Sequence, residues 1–352
     1  MNVKPLFKLM VEKKASDLFF APFAPAKIKI EGKIMPVNKL EMTPKMVKQA
    51  ALELMDEEQM EQFTKELEID FAISEQGLGR FRVNVFHQRG NVAMVLRYIT
   101  SDVPTLEELG MPTELKELTM LRRGLILMVG ATGCGKSTTL AAMINHRNEK
   151  TSSHIITVED PIEFLHSNKQ SIVNQREVGL DTKSYNRALK SAMRAAPDVI
   201  QIGEIRDTES MQSALDMAGT GHLVLGTLHS NNAAETLDRI INLFPQEQHS
   251  QVFMDLAHYL RAILSQRLVR ARNGKRVAAV ELMLNTPHIK DLIMKGDISA
   301  VKEAHKDSGE QGMQTFDDAL LGLYKAGTIT LEEAMSHADS RANLEAKVNF
   351  GG

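Results

Sequence analysis

Residues 130–137 read Gly130-Ala131-Thr132-Gly133-Cys134-Gly135-Lys136-Ser137 and fill every fixed position of the pattern G-x-x-x-x-G-K-[ST]. Glycines let the backbone curl, so that successive N–H groups can point at one anion. The lysine of this pattern reaches the β- and γ-phosphates of a nucleotide, and the hydroxyl of Ser137 can ligate Mg²⁺. The segment is therefore predicted to bind a nucleotide, with Thr138 completing the contacts.

The residues on both sides of this loop support that interpretation. The apolar run at residues 125–129 enters the loop as a buried parallel strand would, and a helix of small residues at 138–145 leaves it. The positive end of that helix's dipole would then face the phosphates. The alternative is a glycine-rich turn that binds nothing, and the flanking strand and helix argue against it.

The composition is that of a globular protein large enough for two domains. The chain has 352 residues, of which 43% are hydrophobic and 25% charged, with a formal net charge of −3. This charge gives no support to a nucleic-acid partner. A single cysteine excludes a disulfide framework and a cysteine zinc site, and it favours a reducing compartment. Neither a secretory signal nor a transmembrane helix is expected.

The first hundred residues are predicted to form a small α+β domain with an antiparallel sheet. Helices are expected at residues 6–12 and 43–64, the second of them broken near Asp56. Glu31-Gly32 and Arg89-Gly90 are hairpin signals between alternating segments. Residues 101–114, which hold two prolines and a glycine among acidic residues, are predicted to be a linker.

From residue 115 to 352 the elements alternate between strand and helix, which predicts an α/β domain with a mostly parallel sheet and helices on both faces. The region from about residue 233 to 347 is expected to be chiefly helical, apart from a hairpin turning at Asn273-Gly274 between strands 268–272 and 277–283. The other apolar strands are expected at residues 125–129, 155–158, 199–202 and 223–227.

Three carboxylates lie in the segment Glu159-Asp160-Pro161-Ile162-Glu163, after the second of these strands. Open parallel sheets bind ligands at the carboxyl ends of their strands. Mg²⁺ prefers oxygen ligands and an attacking water needs a base, so Glu159 is a candidate metal ligand and Glu163 a candidate catalytic base. The alternative is a solvated acidic turn.

The next two strands carry further candidates. Residues 197–207 look like a Walker B strand, but Gly203 stands where an aspartate often ends that strand. Glu204 is therefore expected to reach the metal or its water. His229 follows the next strand and could sense a γ-phosphate by hydrogen bonding, although a lone histidine is as often structural. His222, at the start of that strand, is expected to orient neighbouring groups.

Arg82 and Arg97 lie on the predicted hairpin of the N-terminal domain. Arginine can contact a γ-phosphate that a neighbouring subunit holds, so both are candidates for arginine fingers. The sequence by itself favours the alternative, a cationic strand face in water.

These four motifs occur in this order in the secretion ATPase superfamily of type II and type IV secretion and type IV pili, where they are called Walker A, Asp box, Walker B and His box. The resemblance covers nearly the whole chain and is closest to the pilus-retraction (twitching-motility) ATPases of the PilT and PilU type. The C-terminal residues 286–295 depart from the motif usual in PilT, and residues 313–340 look more like PilU. The stretches that carry the resemblance are 9–13, 16–19, 79–84, 130–139, 156–163, 194–207, 219–232 and 237–245.

The resemblance implies a PAS-like N-terminal domain, a RecA-like P-loop NTPase domain and a homo-hexameric ring. It also implies that Mg²⁺ and ATP are used at subunit interfaces and that hydrolysis removes pilin subunits through an inner-membrane platform protein. The protein would be cytoplasmic and peripheral at the inner membrane. The PilU branch implies an accessory motor that acts with the main PilT-type retraction ATPase. A ring also supplies the neighbouring subunit that an arginine finger needs, which makes Arg82 and Arg97 stronger candidates for that role.

Four other readings compete with a retraction motor. A pilus assembly or type II secretion ATPase is typically longer and often has a four-cysteine zinc site, whereas this chain has one cysteine. A nucleotide-binding switch would bind ATP with little turnover. A small-molecule kinase needs an acceptor pocket and a lid, of which the sequence shows no signature. A nucleic-acid motor needs a basic channel.

Overall fold

The computed structural model of the protein describes residues 3–307 and 312–350, and it divides into two compact units. One unit comprises Met1–Asp102 together with Glu163–Leu165, and the other comprises Val103–Ile162 together with His166–Gly352. Each unit contains its own sheet, and each sheet packs against helices of the same unit. Within the described residues, no helix is both long and apolar enough to cross a bilayer.

The first unit is built on a six-stranded antiparallel sheet in the order β3-β2-β1-β6-β5-β4. Its strands are β1 (Asp17–Phe20), β2 (Pro25–Ile30), β3 (Lys33–Glu41), β4 (Glu68–Glu75), β5 (Gly79–Gln88) and β6 (Asn91–Ile99). Its helices are α1 (Lys4–Glu12), α2 (Pro44–Leu52) and α3 (Glu57–Glu66).

The turns of this unit form where the sequence predicts them. Arg89 and Gly90 both have positive φ, 49° and 78°, as a two-residue hairpin turn between β5 and β6 requires. Asp56 interrupts the helical stretch because its carboxylate accepts the N–H of Gln59 and so caps the start of α3. The α+β prediction for this part of the chain is confirmed.

The second unit is built on a seven-stranded sheet in the order β13-β12-β7-β11-β10-β8-β9, in which only β13 runs antiparallel to its neighbour. Its strands are β7 (Gly124–Val129), β8 (His154–Glu159), β9 (Ile172–Glu177), β10 (Val199–Ile202), β11 (Leu223–Leu228), β12 (Leu260–Arg270) and β13 (Arg276–Leu284). Its helices are α4 (Glu114–Thr119), α5 (Lys136–Lys150), α6 (Tyr185–Ala192), α7 (Thr208–Gly219), α8 (Ala233–Ile241), α9 (His249–Tyr259), α10 (Pro287–Met294), α11 (Ile298–Asp307), α12 (Phe316–Lys325), α13 (Leu331–His337) and α14 (Arg341–Phe350).

Both faces of the parallel sheet are covered, which explains why its strands read as unbroken apolar runs. All residues of β7, β10 and β11 are buried. Residues of α5 such as Met143 pack on one face, and residues of α7 and α8 such as Met211 and Leu237 pack on the other. The carboxyl ends of β7, β8, β10 and β11 therefore meet along one edge, and the predicted α/β class is confirmed.

Two strands of the second unit differ from the prediction. Residues 260–267 form most of β12, although they fall in the region expected to be chiefly helical. The mixed apolar and polar pattern of this segment does not by itself distinguish a strand from a helix, and the segment is a strand because it pairs with β7 on one side and β13 on the other. Strand β9 was not predicted, since it is a short edge strand with alternating polar residues. Leu106 and Met111, from the predicted linker, lie in the core of this unit.

Candidate nucleotide-binding site

The phosphate-binding loop joins β7 to α5 at the carboxyl edge of the parallel sheet. Gly130, Gly133 and Gly135 adopt positive φ values of 144°, 77° and 94°, which a side chain would strain. Residues 131–133 are exposed, so their backbone N–H groups are open to a ligand. The Lys136 ammonium donates to the carbonyl oxygens of Gly130 (2.7 Å) and Ala131 (3.0 Å), which places its charge over the loop.

The two outer glycines of the motif also make room for a residue of β12. A Cβ on Gly130 would lie 2.5 Å from the backbone oxygen of Gln266 and 2.6 Å from the Cys134 sulfur. A Cβ on Gly135 would lie 2.8 Å from the Gln266 side-chain nitrogen. The Cys134 thiol packs inside the loop and is 6% exposed. Close packing between the loop and β12 thus requires glycine at both positions.

Glu204, after β10, is held by two basic side chains at the same edge. Its carboxylate lies 2.6 Å from the Arg206 guanidinium and 3.2 Å from Nε2 of His229, the residue that follows β11. Burial opposes ionisation of Glu204, but the hydrogen bond and charge of Arg206 outweigh it, so the pKa of this carboxyl lies below its usual value. His229 and Lys136 act in the same direction.

Steric crowding explains the glycine that precedes Glu204. A Cβ on Gly203 would lie 2.9 Å from the backbone oxygen of Val158 and 3.0 Å from the hydroxyl of Tyr185. An aspartate does not fit there, so the acidic function passes to the next residue. Burial and the charge of Asp160 raise the pKa of the Tyr185 phenol, which therefore stays neutral beside this acidic edge. No motif in the sequence singles out Tyr185 or Arg206.

Glu159 lies at the end of β8 with its side chain buried. Its carboxylate accepts hydrogen bonds from the hydroxyl of Thr157 (2.6 Å) and the side-chain amide of Gln175 on β9 (3.2 Å). Among the described residues, no three His, Cys, Asp or Glu side chains converge as a metal site. Ser137 in the loop and Glu204 after β10 carry side-chain oxygens, the ligand type that Mg²⁺ prefers.

The loop that carries His229 is fastened to the β12–β13 hairpin. Glu281 of β13 accepts hydrogen bonds from the Ser265 hydroxyl (2.7 Å) and from the backbone N–H of Ala233 (2.8 Å), the first residue of α8. The Arg267 guanidinium pairs with Asp339 at 2.6 Å and stacks on the ring of Phe316 in α12. The hairpin therefore supports the segment between β11 and α8.

The remaining candidates belong to the first unit. Arg82 pairs with Asp70 (3.0 Å) and Arg97 pairs with Asp17 (2.9 Å), each within the six-stranded sheet. The Arg97 side chain is nonetheless 66% exposed. Glu163 groups with this unit and is exposed. The second unit thus brings together the loop, Glu204 and His229. The roles of these residues stay predictions, as do those of Arg82, Arg97 and Glu163.

Known proteins resemble this chain over nearly its whole length. Residues 2–336 match the family described as type II/IV secretion system protein. The type IV pilus ATPase PilU of Pseudomonas aeruginosa is 51% identical over 352 residues, covering 100% of this chain and 92% of that protein. The type IV pilus retraction ATPase PilT of the same organism is 42% identical over 344 residues, covering 98% of this chain and 100% of PilT.

Solved structures give the same result for the fold. A crystal structure of the pilus retraction motor PilT with bound ADP has a TM-score of 0.91 at 42% identity, covering 98% of this chain and 99% of that chain. The Legionella pneumophila ATPase DotB has a TM-score of 0.82 at 25% identity, covering 95% and 94%. The resemblance drawn from the four motifs is confirmed, and the chain belongs to the type II/IV secretion system protein family.

Proposed function

We propose that this ATPase uses Mg²⁺ and ATP to power type IV pilus retraction, as a PilU-type accessory motor that acts with a PilT-type ATPase. The observation that carries the proposal is the complete phosphate-binding loop at the same sheet edge as the paired Glu204 and His229. The 51% identity to PilU supports the choice of branch. A retraction ATPase and a twitching motility protein among the relatives support retraction as the direction of work.

Each group of the second unit has a role in this chemistry. The loop N–H groups and Lys136 neutralise the phosphates, and Ser137 and Glu204 provide oxygens to Mg²⁺. His229 contacts Glu204 and so is placed to report on the γ-phosphate through that carboxylate. Glu159 stays a candidate metal ligand, and Glu163 is our candidate for activating the attacking water.

The proposed working form is a homo-hexameric ring in the cytoplasm, peripheral at the inner membrane and in contact with the pilus platform protein. In such a ring, Arg82 or Arg97 of one subunit would reach the ATP of the next. Relatives named as pilus ATPases support this assembly, and the formal net charge of −3 supports the absence of a nucleic-acid partner.

A clean deletion tests the biological role. Surface pili and twitching should be scored in the presence and absence of the main retraction ATPase. When that ATPase is present, we expect the deletion to abolish twitching while the pili are retained. Loss of the pili themselves would instead favour an assembly ATPase. Phosphate release by the purified protein separates a motor from a nucleotide-binding switch, which would bind ATP with little turnover.

Glu163→Gln is expected to bind ATP and Mg²⁺ normally but to hydrolyse ATP about 10²-fold more slowly, because an amide cannot take a proton from the attacking water. Nucleotide affinity and phosphate release should be measured on the same preparation. Failure to bind nucleotide would mean that the carboxylates exchange roles or that Glu163 is structural.

Mixed rings test the arginines. Lys136→Ala subunits combined with Arg82→Ala subunits are expected to regain ATPase activity, since one type of interface then joins an intact loop to an intact arginine. The same mixture with Arg97→Ala tests the second candidate. Absence of recovery at every mixing ratio, in rings verified to be mixed, would argue against a role across the interface.

A further inference from the structure

We propose that Gln266 of β12 is a positioning residue for the phosphate-binding loop, fixing its shape so that its backbone N–H groups face the nucleotide. The inference rests on the proposed function, in which this loop binds ATP. Gln266 lies 129 residues beyond the last position of the loop motif and belongs to none of the four motifs.

The side-chain amide of Gln266 joins the loop to the helix that follows it. Its nitrogen donates to the carbonyl oxygen of Cys134 at 2.8 Å, and its oxygen accepts from the hydroxyl of Thr139 at 2.9 Å. Gln266 is 3% exposed, and Thr139 is 1% exposed. Both hydrogen bonds are therefore shielded from water, where losing a partner is costly.

The first hydrogen bond sets the direction of a loop amide. A peptide unit is planar and trans, so its C=O and the N–H of the next residue point in opposite directions. Holding the Cys134 oxygen against Gln266 therefore turns the N–H of Gly135 away from β12. This N–H belongs to the motif whose amides cradle phosphate. The second bond fixes the first turn of α5, which carries Lys136.

The loop is shaped to accept this contact from its own side as well. Gly130 and Gly135 are the positions at which a Cβ would strike Gln266, at 2.5 Å from its backbone oxygen and 2.8 Å from its side-chain nitrogen. The two fixed glycines of the motif thus allow the close approach on which both hydrogen bonds depend.

Glutamine is suited to this position because one end of its side chain donates and the other accepts. Methionine has a similar length but offers neither group. The Cys134 oxygen would lose its side-chain donor, and the Thr139 hydroxyl would keep only its long contact with the Met111 sulfur, at 3.9 Å. Glutamate would place a second acceptor against the Cys134 oxygen and add a negative charge next to the phosphate-binding loop.

The test is the affinity of the full-length protein for ADP, by isothermal titration calorimetry, beside its melting temperature. Gln266→Met and Gln266→Glu are expected to bind ADP about tenfold more weakly or worse, because ADP binding would have to restore the loop shape that the lost hydrogen bonds maintain in the wild type. Thr139→Val removes one of the two hydrogen bonds and should therefore reduce the affinity for ADP less than Gln266→Met does. The matched control is Val269→Ala on the same strand, 1% exposed and in a different core cluster, which should melt earlier but bind ADP as wild type does.

Two results would overturn the inference: unchanged ADP affinity in Gln266→Met and Thr139→Val, or an equal loss of affinity in Val269→Ala. Thr139→Val keeps the test decisive if Gln266→Met does not fold. Wild-type protein that fails to bind ADP would refute the proposed function itself, and this inference with it.

Discussion

Lys136→Ala is expected to abolish ATP turnover while leaving the fold intact, with phosphate release reduced about 10²-fold or more. The Lys136 ammonium lies over the loop, bonded to the carbonyl oxygens of Gly130 and Ala131, so it is already next to the place where phosphates bind. Alanine removes the fixed positive charge from that place. Phosphate release by the purified variant, with a melting curve to verify folding, is the measurement.

Lys150→Ala is a suitable control, because Lys150 is exposed at the opposite end of the same helix, α5. It should leave turnover unchanged, since it alters the charge of the chain equally but lies away from the loop. Unchanged turnover in Lys136→Ala would overturn the assignment of residues 130–137 as the phosphate-binding loop.

Glu204→Gln is expected to lower phosphate release by about 10²-fold while ADP still binds. The amide keeps the shape of the side chain but removes the negative charge that Arg206 and His229 share and that Mg²⁺ would need. Turnover should be measured across a Mg²⁺ titration, in which the variant is expected to need more Mg²⁺ than wild type does.

Glu247→Gln provides the same chemical change at an exposed position after α8 and should behave as wild type. Loss of nucleotide binding in Glu204→Gln, with turnover and binding falling together, would instead assign Glu204 to the folding of this edge. Full activity in Glu204→Gln would show that Glu204 has no role in hydrolysis.

Much of the nucleotide edge could be predicted because its signals are local in sequence. A complete loop motif, an apolar strand before it and a helix after it are all encoded within about twenty residues, and the same holds for Glu204 and His229 at the ends of their strands. Parallel strands bring such residues to one edge whatever their separation along the chain.

The support of the loop could not be predicted in the same way. Gln266 meets the loop only because β12 pairs with β7, and the mixed apolar and polar pattern of the run that forms β12 does not distinguish strand from helix. A buried polar residue within that run was the available signal. Gly203 is visible in the sequence as a departure from the usual motif, but the cause of that departure is the space occupied by Tyr185 and Val158.

The pairing of β12 with β13 has a consequence for which insertions the chain can accept. Surface turns usually tolerate extra residues, and the turn at Asn273-Gly274 lies far from every motif in the sequence. Yet β12 is held by β7, so an added residue that is not taken up as a longer loop would shift β13 alone. A shift of one residue sends Glu281 to the opposite face of the sheet, away from Ser265 and the start of α8. The contact of Glu281 with the start of α8 therefore limits the length of this turn. In homologous chains with a functional His-box loop, we expect turns that differ in length by two residues to be more common than turns that differ by one.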